Sequence, residues 1–138
     1  MKKSGLINLI NSRKEATALL IEKGKYHEAY EGLGYVIEYA LKVAVCKHFG
    51  RENYPDEQNR YKTHNYNALL YYAGLNMEFA QARVLGSELH KNWSIITKWN
   101  PEMRYDDAWP ATAEVLSEYW DAVFNERDGI FTWISSKW

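Results

Sequence analysis

Residues 25–49 carry the most regular pattern in the chain. Ala29, Leu33, Val36, Ile37, Ala40, Leu41, Ala44 and Val45 recur at steps of one, three and four. This spacing places them on one face of an α-helix and predicts a single rod over 25–49, closed by Gly50. An earlier run, Leu6, Leu9, Ile10, Thr17 and Leu20, predicts a helix over 5–22 with Gly24 as its stop. Ser12 to Glu15 matches a capping box, which offers an alternative start near residue 13. Residues 51–62 are polar, contain Pro55 and read as a loop. Thr63 suits the N-cap of a third helix, His64 to Ala73, with Leu69, Leu70 and Ala73 inward and Gly74 at its end. Asn76 suits the cap of a short helix to about Val84. A further helix is expected over 86–99, with Leu85, Leu89, Trp93 and Ile96 on one side, and Asn100-Pro101 stops it. Pro110 fits the first turn of a last helix, in which Ala113, Leu116, Trp120, Val123, Ile130 and Ile134 recur and Gly129 interrupts. No convincing period-two alternation occurs. The expected fold class is all-α, an up-and-down bundle of four to five helices in one domain over 1–138.

Inside the second helix the pattern contains two exceptions. Gly32 and Gly34 each cost about 1 kcal/mol of helix stability relative to alanine. A helix that keeps both is expected to use at least one for close approach, by a packed neighbour or by a ligand or partner backbone. Glu31, Tyr35, Glu38 and Lys42 form a second stripe beside the apolar one. Glu38 and Lys42 stand four apart in the favourable order. Two accounts fit them: an exposed ion pair, or a polar seam lining a cleft or a subunit interface.

Composition narrows the function classes. A net charge of −1 gives no broad basic field of the kind that drives non-specific nucleic-acid binding, and leaves a local basic groove open. The single cysteine, Cys46, lies in an apolar helical stretch and reads as a small buried hydrophobe. No intramolecular disulfide can form, which is compatible with a cytoplasmic location. The N-terminal apolar stretch is short and soon interrupted by charge, unlike a secretory signal. No segment approaches the ~18 apolar residues of a membrane span, so no membrane association is expected. Six tryptophans and eleven tyrosines are the unusual counts. Such rings fill cores and interfaces, and they also stack on bases.

The order of several short motifs resembles the HEPN domain family. These are "LLIEKGKYHEAYEGLGYVIEYALKVAVCKHFG", then "THNYNALLYYAG", then "NW" and "MRY", and finally "WI". Gly34 to Lys42 is similar to the family's Gly-Tyr-Ala-Val-Glu-Ala/Cys-Ala-Leu-Lys pattern. Thr63-His64-Asn65 stands where the family often has Thr-His-Asp, and Arg104-Tyr105 matches an Arg-Tyr pair. The resemblance covers about residues 16 to 134. It implies a helical bundle, often a homodimer, in RNA- or nucleotide-related biology. Many HEPN proteins are metal-independent endoribonucleases of toxin–antitoxin or phage-defence systems. Others act as binding or dimerisation modules, and some pair with a small nucleotidyltransferase.

The catalytic members carry an arginine, four to six residues, then a histidine. The histidine moves a proton and the arginine stabilises charge on the phosphorane-like transition state. Arg83 and His90 have six residues between them, but Val84 follows the arginine where the family prefers a polar residue. Arg60 and His64 have three between them, one short of the pattern. Arg104 lies where the family's arginine commonly sits, and no histidine follows it. The candidate catalytic residues are therefore Arg83, His90 and His64, with Glu38 as support. The candidate binding residues are Tyr35, Glu38, Lys42, Arg60, Arg104 and Tyr105. His27 and His48 read as surface or helix-end residues. Trp93, Trp99, Trp109 and Tyr105 surround Arg104 in sequence, either to stack a base or to close the bundle. No metal-ligand spacing or glycine-rich phosphate loop occurs, so no metal or cofactor is expected. Asp106-Asp107 reads as a solvated pair. The expectation is an RNA- or nucleotide-associated binding and dimerisation module, with metal-independent RNA cleavage as the alternative and partnership with a nucleotidyltransferase as a further one.

Overall fold

A computed structural model describes residues 1–99 and 111–138 of the chain. Seven helices occur among them: α1 Lys3–Glu22, α2 Tyr26–His48, α3 Tyr66–Tyr72, α4 Asn76–Ala82, α5 Glu88–Ile96, α6 Ala113–Phe124 and α7 Ile130–Ser135. No strand is present among the described residues, so the all-α expectation holds at that level. The count exceeds four to five because each of the six helical stretches in the pattern forms its own helix and the last is divided in two. The last one is broken at Asn125, whose side-chain oxygen accepts the backbone N–H groups of Arg127 and Asp128 and turns the chain before α7.

Helix α2 is the axis of the fold. It packs against α1, α3, α6 and α7. From Gly32 to Cys46 nearly its whole circumference is covered, including Leu33, Ile37, Leu41 and Val45. A helix wrapped on all sides is a core element, and this explains why its apolar stripe is wider than one face. Cys46 is fully buried there. Gly24 and Gly50 take positive φ values of 75° and 64°. After each, a backbone N–H reaches back to the preceding helix, Lys25 to Leu20 and Arg51 to Cys46. Both are the left-handed stops expected of glycine after a helix.

Several boundaries differ from the sequence pattern. Helix α1 begins at Lys3 and runs through Ser12, so the capping box there is not used. Asn65, not Thr63, caps α3: its side-chain oxygen accepts from Ala68 at 2.9 Å. The asparagine lies two residues closer to the first turn, and Thr63 Oγ1 instead takes the N–H of Asn65. Helix α4 has Leu75 rather than Asn76 at its N-cap and ends at Ala82. Helix α5 starts after Ser87, which accepts from His90. Leu85 consequently lies in the loop before α5, and it is 89% exposed rather than inward. Pro101 and Pro110 lie outside the described residues.

Four buried tyrosines make the core sensitive to alkali. Burial pushes the Tyr30 hydroxyl up to about 12, and it raises Tyr54, Tyr66 and Tyr119 further. An unfolded tyrosine ionises near pH 10. The folded pKa values are raised, so this stability is fully present below about pH 10 and is lost as pH rises beyond it. Phenolate absorbance is therefore expected to rise in a late step that coincides with loss of helical circular dichroism. A smooth titration of all tyrosines in a chain that stays helical would contradict this packing.

Candidate functional site

The site is built where the middle of α2 meets the start of α3. Glu38 is 2% exposed and Lys42 6% exposed. Their i,i+4 pair closes at 3.0 Å, Lys42 Nζ donating to Glu38 Oε2. This is a buried ion pair, not the exposed one that an open helix face would present. The ammonium also lies 5.5 Å from the centre of the Tyr54 ring. Tyr54 is held there because the loop after α2 is clasped by the N-terminus. Lys3 N–H donates to the Glu52 carbonyl and Tyr54 N–H to the Met1 carbonyl, each at 2.7 Å. The Tyr54 hydroxyl donates to the Tyr61 carbonyl.

The second carboxylate oxygen of Glu38 reaches another element. Its Oε1 lies 2.7 Å from Nδ1 of His64, the residue just before the Asn65 cap of α3. The His64 side chain is 66% exposed while its partner is buried. One buried carboxylate thus binds a buried ammonium on its own helix and an exposed imidazole from across the sequence. His64 opens onto a cleft of about 310 Å³ lined also by Asn65, Tyr66, Asn67, Thr97, Lys98 and Trp99.

The wall behind this cleft explains Gly34. A Cβ placed there would collide with the Trp99 indole. Trp99 Nε1–H donates to the Tyr30 carbonyl at 3.1 Å, and its ring lies nearly parallel to Tyr66 at 5.9 Å. The Tyr66 hydroxyl donates to the Gly34 carbonyl at 2.8 Å. Gly32 similarly faces the Thr17 side chain of α1. Both glycines admit packed side chains. Tyr35 is half-buried, edge-on to Trp99 at 5.4 Å and stacked on Tyr39 at 5.9 Å, with the Arg13 guanidinium 5.6 Å from its ring centre.

The other candidates lie elsewhere. Arg83 sits at the end of α4, its guanidinium 5.3 Å from the Phe79 ring centre and 5.7 Å from that of Trp93. His90 is in the first turn of α5. Neither lines the His64 cleft. Arg60 lies over Tyr61 at 5.7 Å and borders a different recess, with Phe49, Arg51, Pro55, Glu57 and Gln58. Trp93 and Trp99 are both buried and close the bundle. Arg104, Tyr105, Asp106, Asp107 and Trp109 lie outside the described residues.

Asn67, Thr97 and Lys98 were not singled out by the sequence pattern, and neither was the Tyr54 ring under Lys42. Their only sequence signal is proximity to a cap or to a tryptophan, which many surface residues share. Among the described residues no cluster of histidine, cysteine or acidic side chains is arranged to hold a metal ion. No helix among them is long and apolar enough to cross a membrane. Compared with known protein-family models, with curated proteins and with solved structures, the chain matches none.

Proposed function

We propose that this chain is an RNA- or nucleotide-binding module that engages its ligand in the His64 cleft. The carrying observation is the lining of that cleft: an anchored imidazole, two carboxamides, a hydroxyl and an ammonium converge around about 310 Å³. Lys98 supplies the positive charge for a phosphate and Asn67 a carboxamide, while Asn65, its oxygen capping α3, keeps its amide N–H groups, and Thr97, its hydroxyl donating to the Ser94 carbonyl, keeps an acceptor for sugar and base edges. The resemblance to HEPN proteins supports the ligand class. It also supports a homodimer, and association with a nucleotidyltransferase, as parts of the same reading.

A second reading has its own support. An exposed imidazole fixed by a buried carboxylate is an arrangement used in general acid–base catalysis. Metal-independent RNA cleavage by His64 is therefore the alternative, with Glu38 orienting the ring. Arg83 is engaged with Phe79 and Trp93, so Arg83 with His90 is the less favoured pair.

One experiment tests both. Binding of a fluorescent single-stranded RNA is measured by anisotropy, and its cleavage is followed with EDTA present. His64→Ala and Lys98→Ala are each expected to weaken binding about tenfold, the effect of losing one good polar contact. Unchanged binding in both variants would remove the cleft from consideration. EDTA-resistant cleavage lost in His64→Ala but kept in His90→Ala would favour the enzymatic reading.

A further inference from the structure

The ion pair between Lys42 and Glu38 has no contact with the cleft of its own, yet it bears on the ring that does. Lys42 Nζ is bound to Oε2 of the same carboxylate whose Oε1 meets His64 Nδ1. An ionised carboxylate can only accept hydrogen bonds, whereas a protonated one can donate. With the ammonium neutralising it, Glu38 is an acceptor at both oxygens. Nδ1 of His64 must then carry the proton. In the neutral ring this leaves the Nε2 lone pair on the exposed part of the imidazole, which borders the cleft. An imidazole presented this way accepts a hydrogen bond from a ligand hydroxyl or acidic N–H, and does not donate one.

We infer that Lys42 is a positioning residue: acting through Glu38, it fixes the His64 tautomer and makes Nε2 an acceptor toward the cleft. The inference rests on the proposed role of His64 in binding, and deepens it by naming the polarity the ligand must match. Three elements converge on this chain of groups. Helix α2 supplies Glu38 and Lys42, the segment before α3 supplies His64, and the loop after α2 supplies the Tyr54 ring beneath the ammonium. Replacing the ammonium by an apolar chain of similar length leaves the buried carboxylate without its buried cation, facing the exposed His64 ring on its other oxygen. Burial without a cation favours the neutral carboxyl over the carboxylate. A neutral Glu38 then donates to Nδ1, and the imidazole proton moves to Nε2.

The test is nitrogen-15 NMR of the His64 ring in the ligand-free protein, at a pH where the ring is neutral. Wild type is expected to show the Nδ1–H tautomer, and Lys42→Met to show a switch to Nε2–H. Lys42→Gln keeps a donor to Glu38 without the charge and is expected to switch in the same direction, which covers the case in which Lys42→Met does not fold. Lys42→Arg, which restores the charge, is expected to return the ring toward Nδ1–H. Nε2–H in the wild type would overturn the inference, as would an unaltered tautomer in the folded neutral variants. No ligand is present in this measurement. Failure of wild type to bind RNA would therefore sink the functional reading alone, and a wrong tautomer this inference alone.

Discussion

Glu38→Ala is expected to destabilise the chain by about 3–5 kcal/mol in chemical denaturation. The reason is what the substitution leaves behind. Lys42 is 6% exposed, and its hydrogen-bond partner is the Glu38 carboxylate. Without it an ammonium stays buried beside the Tyr54 ring. A desolvated cation over an aromatic face gains about 2 kcal/mol, too little to offset the loss. His64 adds little to this cost, because its exposed ring can turn to water. A native domain has only about 5–15 kcal/mol in total, so the loss takes a large share of it. The double variant Glu38→Leu with Lys42→Met separates stability from function. Apolar replacement of a whole buried pair is often neutral or stabilising, so the double variant should recover most of the stability. It should not recover RNA binding, since His64 has lost its anchor. A double variant as unstable as Glu38→Ala would mean that the pair is not enclosed as described.

The second large effect is expected at Gly34. Alanine improves intrinsic helix propensity by about 1 kcal/mol, so local preference alone predicts stabilisation. Packing opposes it. The new methyl group meets the Trp99 indole, which is held by its bond to the Tyr30 carbonyl and by Tyr66 beside it. Overpacking of this kind costs about 1–3 kcal/mol, and sometimes more where the neighbour is fixed. Because the collision is with a ring fixed on two sides, the cost falls at the top of that range, and a net loss of about 2 kcal/mol is expected, seen as a melting temperature lower by about 6 °C. Tryptophan fluorescence should shift as Trp99 is displaced, and RNA affinity should fall because Trp99 also lines the cleft. A variant of wild-type or higher stability would show that the indole does not occupy the space beside Gly34. Gly32→Ala serves as a comparison, because the Thr17 side chain it meets is small.

The helical character of this chain is written in its periodicity. Residues 26–48 show it best: the three- and four-step recurrence survives in the structure nearly end to end. Glycine stops at 24 and 50 were legible too, since the left-handed turn after a helix is a local event. Divided and shifted helices were less so. The break at Asn125 depends on a side chain folding back on its own backbone, which competes with helix at every asparagine and wins only at some. Leu85 was misplaced because an apolar residue at the right step is indistinguishable from one in the loop before a cap.

For the site, the sequence by itself determined that Glu38 and Lys42 share a helix face and pair, since four-residue spacing on a helix fixes that geometry. Only the tertiary structure decided that the pair is buried, that Tyr54 lies beneath it, and that His64 arrives from 26 residues away to bind the same carboxylate. It also decided that Gly34 makes room for Trp99. The physical reason is range. Helix periodicity and caps are set by bonds three and four residues apart. Desolvation and cross-chain hydrogen bonding depend on which elements the collapsed core brings together.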